Sequence, residues 1–194
     1  MRLHEMKMNK FGGMKLKKKK VFFLPYAGGS SMNYQSCYNY FTDEIEPVCI
    51  ELAGRGKRYG EPFYQSISEA TDDILTILEK ELNGEDYIIF GHSMGAILAF
   101  ELYYKIKAKG VQLPKCLFVS GRAAPNAVHN VLDIKDYDDE TFIKLISFYG
   151  GLPEDFENSE IKKLLLPVLR ADFRILDEYV YEEKEGKIES DLII

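Results

Sequence analysis

The chain has 194 residues, 46% of them hydrophobic and 29% charged, with a formal net charge of −6. That length suits one domain with a sizeable core, and the composition excludes a disordered or membrane-spanning chain. The acidic balance excludes a general nucleic-acid binder, whose phosphate-facing surface needs clustered lysine and arginine.

Cys37, Cys49 and Cys116 are too few and too far apart for a disulfide framework or a metal site. A reducing cytoplasm is therefore expected; separately, the chain is expected to be a monomer.

At the amino end, Lys15 and Lys17 to Lys20 precede the apolar run Val21-Phe22-Phe23-Leu24. A secretory signal needs an apolar stretch of about 7 to 15 residues. This one stops at Pro25, so residues 1–19 read as a mobile basic leader, with Met14 as a possible natural start. The single domain is then expected over 20–194.

Val21–Leu24 and Val48–Leu52 read as short buried strands, with room for a helix over Met32–Phe41 between them. Turn signals at Ala53-Gly54-Arg55-Gly56 and Gly60-Glu61-Pro62 follow. From Ile67 to Leu82 apolar residues recur at Ile67, Ala70, Ile74, Leu75, Leu78 and Leu82, an amphipathic helix with Ser66 or Ser68 as N-cap and Asn83-Gly84 as its stop.

Tyr87–Phe90 reads as a buried strand and Ala96–Lys109 as a helix, joined by Gly91-His92-Ser93-Met94-Gly95. In a G-x-S-x-G turn the serine sits at a strained strand-to-helix bend, and the glycines let neighbouring backbone pass close. Ser93 is thus the candidate acyl-accepting nucleophile. Cys116–Ser120 is the next strand. The alternation of strands and helices implies a mostly parallel sheet with flanking helices, because parallel strands need crossovers.

After Pro125 the rhythm changes to two helical patterns without a strand, over Asp139–Tyr149, stopped by Gly150-Gly151, and over Glu160–Tyr181, with Pro167 bending or dividing the second. A strand-like run resumes only at Asp191–Ile194. Residues 131–187 are therefore expected to form a helical lid over the strand ends.

Several motifs in this order resemble the type II thioesterases of nonribosomal peptide and polyketide synthesis, which are α/β-hydrolases. The match runs from Phe22 onward. Phe23-Leu24-Pro25-Tyr26-Ala27-Gly28-Gly29-Ser30 resembles the family's first strand and oxyanion loop. Glu51-Leu52-Ala53-Gly54-Arg55-Gly56-Lys57-Arg58 resembles its second-strand motif, with Ala53 where proline is usual. The elbow, Ser120-Gly121-Arg122-Ala123-Ala124-Pro125, and the lid-helix stretch Leu164–Arg174 complete the likeness. Cys37 stands where the family usually has tryptophan.

The resemblance implies hydrolysis of an acyl thioester carried on the phosphopantetheine arm of an acyl or peptidyl carrier protein, with no cofactor or metal of the enzyme's own. It implies a role in clearing stalled or wrongly primed carriers. Ser93 would attack the carbonyl, and the backbone N–H groups of Ala27 and Met94 would hold the oxyanion.

Ser93 also needs a base and an acid, which in this fold follow it in the order Asp or Glu, then His. The chain has three histidines. His4 lies in the leader, His92 lies inside the elbow with its side chain expected to point away from Ser93, and His129 has no carboxylate before it at a strand end. Asp172 and Asp177 fall in the lid pattern, where solvation or ion pairing is the simpler reading. The triad aspartate and histidine are therefore expected to be missing, along with the last strand and helix. The chain then reads as cut short, a fragment of a longer product or the remnant of a disrupted gene, with impaired turnover.

A non-catalytic carrier or acyl-chain binder is the alternative, and a general carboxylesterase or lipase a further one. Arg55, Arg58 and Arg122 are candidates for meeting an acidic carrier or the phosphopantetheine phosphate, against ordinary salt bridges.

Overall fold

A computed structural model of the chain describes residues 18–127, 134–148, 152, 156 and 159–194. The leader up to residue 17, His4, His129 and the Gly150-Gly151 stop lie outside the described residues.

Five strands form one parallel sheet: β1 (Lys19–Leu24), β2 (Ile45–Cys49), β3 (Tyr87–His92), β4 (Cys116–Ser120) and β5 (Asp191–Ile193), in the order β2-β1-β3-β4-β5. The second strand starts earlier than its apolar pattern suggests. It runs over Ile45–Cys49 rather than Val48–Leu52, because the turn bonded from the Ile45 N–H to the Thr42 carbonyl (3.0 Å) launches it. Pro47 is tolerated there because β2 is an edge strand, whose outer side needs no ladder donor.

Two helices, α1 (Ile67–Glu81) and α2 (Met94–Lys109), pack against each other on one face of the sheet. Their stripes, Ile74 and Leu78 on α1 and Leu98, Leu102 and Ile106 on α2, meet Phe22, Leu24, Ile89 and Leu117 in the main core. Ser66 caps α1 by accepting from the Glu69 N–H at 3.1 Å, and left-handed Gly110 ends α2. On the opposite face the segment expected as a helix over Met32–Phe41 is a 3-10 helix, Ser31–Tyr40. Its Tyr34 packs with Val21 and Phe23, and Cys37 lies against this smaller cluster.

Between β4 and β5 lie α3 (Asp139–Phe148) and α4 (Ser159–Asp177). They share a third core of Ile134, Phe142, Ile146, Phe156 and Leu169. Pro167 sits inside α4 without ending it, whereas the helix stops at Asp177, short of the expected Tyr181. The chain then runs back along α2, where the Tyr179 hydroxyl and the Lys184 ammonium both donate to Glu101 (2.6 and 2.7 Å) and the Glu189 N–H donates to the Tyr103 hydroxyl (2.8 Å). No helix among the described residues is long and apolar enough to cross a membrane.

Candidate active site

The strand order fixes where a site can form. From β1 the chain crosses outward to β2 and then returns past β1 to β3, so the connections leaving β1 and β3 depart to opposite sides. At such a switch point the carboxyl ends of neighbouring strands open a crevice. The loop after β1 holds Ala27 and the turn after β3 holds Ser93.

Ser93 has φ 54° and ψ −112°, and it is the one non-glycine residue with positive φ among the described residues. A bend this tight needs both elbow glycines. A Cβ on Gly91 would run into the Gly95 carbonyl, and one on Gly95 into the Leu24 carbonyl at the end of β1. The strain is held from outside, because the Ser93 N–H donates to the Ser120 carbonyl at the end of β4 (2.9 Å).

Met94 is fully buried and opens α2, so its N–H belongs to the first turn, where helix geometry supplies no partner and the dipole is positive. This orientation suits a developing oxyanion beside Ser93.

The β1 loop reaches the same place. A Cβ on Gly95 would press on the Leu24 and Pro25 carbonyls, and the Tyr26 ring meets the His92 ring edge-on at 6.3 Å. Ala27 packs against the main core, and the loop closes on itself through the Gly29 N–H and the Tyr26 carbonyl (2.8 Å). It is tied further at Ser31, whose N–H and hydroxyl donate to the Glu51 carboxylate (3.0 and 2.7 Å).

His92 is otherwise engaged. Its Nδ1 lies 2.9 Å from the Ser120 hydroxyl, and its ring packs over Gly121, where any Cβ would collide with it. This agrees with a structural hydrogen bond rather than a role as base.

Of the arginines, Arg58 pairs with Glu61 and Asp73, as an ordinary surface ion pair does, and Arg122 is half-buried after β4. Burial works against the Asp73 carboxylate, but hydrogen bonds from Arg58 and Tyr64 outweigh it and hold the pKa below the usual aspartate value. Burial first, and then its bond to Asp73, pushes the Tyr64 hydroxyl up to about 12.

Arg55 and Asp172 are different, with only 5% and 2% of their surface exposed. They form a two-pronged pair at 2.6 and 2.7 Å between the turn after β2 and helix α4. The sequence reading missed this contact. The available signal was Asp172 itself, a charge on the buried stripe of α4 between Leu169 and Ile175.

The model of the thioesterase domain family matches residues 19–192. The chain belongs to the thioesterase domain family. This thioesterase chain is 34% identical over 169 residues to linear gramicidin dehydrogenase LgrE of Brevibacillus parabrevis, covering 85% of this chain and 64% of that protein. It is also 34% identical over 169 residues to gramicidin S biosynthesis protein GrsT of Aneurinibacillus migulanus, covering 87% and 66%. The first name speaks of a dehydrogenase, while the family model is that of a thioesterase.

Among solved structures, ClbQ from the colibactin NRPS/PKS pathway superposes with a TM-score of 0.84 at 34% identity, covering 91% of this chain and 74% of that one. The homologues include type II thioesterases of such pathways, and the fold is that of α/β-hydrolase thioesterases. The thioesterase chain spans about two thirds of the length of the curated relatives it matches, at 64% and 66%.

Proposed function

We propose that this chain carries the nucleophile and oxyanion site of a thioesterase that releases acyl groups from the phosphopantetheine arm of carrier proteins in nonribosomal peptide or polyketide synthesis. The observation that carries the reading is Ser93 at its strained φ, at the positive end of α2 and beside the β1 loop. The similarity to GrsT and ClbQ, whose names speak of gramicidin S biosynthesis and an NRPS/PKS pathway, supports the substrate class.

In this reading the Ser93 hydroxyl oxygen adds to the thioester carbonyl. The Met94 and Ala27 N–H groups donate to the oxygen as it becomes negative. Collapse of the tetrahedral intermediate expels the pantetheine thiolate, which takes up a proton, and leaves acyl-Ser93 for water to hydrolyse. No cofactor is needed, and work on carrier-bound substrates suits a cytoplasmic protein.

The proton on Ser93 must go to a base. His92 is held by Ser120 and Gly121, so that base lies outside the described residues. Loss of the base from a serine hydrolase lowers turnover by about a million-fold, leaving about 10³ to 10⁴ over water. Turnover that depends on Ser93 therefore needs such a base.

The engagement of His92 also favours a second reading, binding of an acyl carrier without turnover. One experiment separates them: octanoyl-loaded carrier protein is incubated with the chain and with Ser93→Ala, and both release and carrier binding are followed. Faster release by the unaltered chain supports the enzyme. Equal release rates sink it, and retained carrier binding then leaves the second reading standing.

A further inference from the structure

Asp172 lies on the lid helix, yet its hydrogen bonds go to the oxyanion loop. Its Oδ2 accepts from the Gly28 N–H at 2.8 Å and from Arg55 Nη1 at 2.7 Å, and its Oδ1 accepts from Arg55 Nη2 at 2.6 Å. The same Arg55 Nη1 donates to the Gly29 carbonyl at 3.0 Å. Two of the three peptide groups that follow Ala27 are thus held by one buried ion pair, that of Ala27–Gly28 through its N–H and that of Gly29–Ser30 through its carbonyl. Gly28 also has a positive φ of 77°, and a Cβ there would press on the Leu169 side chain, one turn before Asp172 on α4.

We infer that Asp172 and Arg55 are positioning residues for the reaction, acting by fixing the direction of the Ala27 N–H through Gly28 and Gly29. The inference rests on the proposed role of Ser93 and Ala27.

The arrangement exceeds what stability requires. A buried ion pair replaced by apolar groups of similar size is commonly neutral or stabilising, because two charges need not be desolvated. Removal of one partner alone is harmful, since the other is left buried and unpaired. What an apolar replacement cannot supply is an acceptor for Gly28 and a donor for Gly29. The pair therefore gives the loop a fixed direction, and oxyanion stabilisation depends on donors aimed in advance. It also ties α4 to the site, so that end of the lid helix stays seated when substrate enters.

The test uses the chain with Arg55→Met and Asp172→Leu together, and with Asp172→Asn as a second variant that keeps side-chain shape. Two probes are compared. Octylboronic acid adds reversibly to the Ser93 oxygen, with the serine proton passing to solvent, and places an oxygen in the oxyanion position. The amide analogue of octanoyl-pantetheine mimics the ground state.

The double variant is expected to fold but to melt below the unaltered chain, because the Gly28 N–H and the Gly29 carbonyl lose their partners. It is expected to bind the boronic acid about tenfold or more weakly, and the amide within about threefold. Asp172→Asn should weaken the boronic acid in the same direction. Unchanged boronic acid binding by a folded variant of either kind overturns the inference.

If the unaltered chain binds no boronic acid, the reading of Ser93 fails. Hydrogen exchange at Ala27 and Gly29 then decides the clamp: faster exchange in the variants keeps it, and unchanged exchange sinks it.

Discussion

At the scale of single residues, the site is built from local conflicts that neighbours hold in place. Ser93 at φ 54° carries strain that glycine would not. Ser93→Gly is therefore expected to raise stability by about 1 kcal/mol in urea denaturation while removing any acyl transfer. Ser93→Gly melting below the unaltered chain would remove strain as the account of the elbow.

Asp73 shows the same logic in electrostatics. Its folded pKa is depressed by Arg58 and Tyr64, so its stabilisation is present above its unfolded value of about 3.9 and is lost as pH falls through the folded value. Urea midpoints measured from about pH 6 down to about pH 3 should fall less steeply for Asp73→Asn than for the unaltered chain. Parallel curves would mean that the pair contributes nothing.

The residues that announce chemistry by type and spacing, Ser93 with its glycines, are legible in sequence. Arg55 and Asp172 meet across a span of chain that no local pattern connects, and only the fold brings the turn after β2 beneath α4.

At the scale of elements, legibility followed periodicity. The helix over Ile67–Glu81 and the strand over Cys116–Ser120 appear where their patterns and stops place them. The second strand is displaced because three of its residues, Ile45, Glu46 and Pro47, are set by pairing with β1 rather than by their own apolar content. Likewise α4 ends at Asp177 because the following residues turn to meet Glu101 on α2, a tertiary demand invisible in the local pattern.

The division of the interior into separate clusters makes the elements unequal. Phe142 is fully buried, edge-on to Phe173, with the Arg170 guanidinium 4.6 Å above its ring. It belongs to the cluster shared by α3 and α4, whereas Leu102 belongs to the main core. Phe142→Ala should speed amide exchange in α3 and leave α1 and α2 protected. Leu102→Ala should lower global stability by about 3 kcal/mol. Equal loss of protection in α2 from both variants would show that the α3–α4 cluster and the main core unfold as one.

At the scale of the whole molecule, the described residues cover one face of the sheet well and the other less. Along one register row Phe23, Phe90, Phe118 and Ile193 stand side by side across four strands. The 3-10 helix shelters the first of them, but Phe118 is 38% and Ile193 47% exposed, and β5 is an edge. Sequence reading expects a monomer, yet an apolar row ending at an unpaired edge favours self-pairing. Light scattering should report larger species as concentration rises, and Ile193→Lys should suppress them. Scattering that is independent of concentration for the unaltered chain would make the row harmless.

The placement of β5 bears on the order in which the chain is assembled. Its Asp191 pairs with Cys116, so this strand joins the sheet only after everything from β4 through α4 has been made and has travelled back along α2. Closing so long a loop adds entropy loss before any contact compensates it. During synthesis the four strands β1 to β4 and the helices α1 and α2 would stand first as a finished floor. The Ser93 turn would be shaped before α3 and α4 exist, and the loop after β1 would be the last part of the candidate site to settle, waiting on an aspartate that arrives with α4.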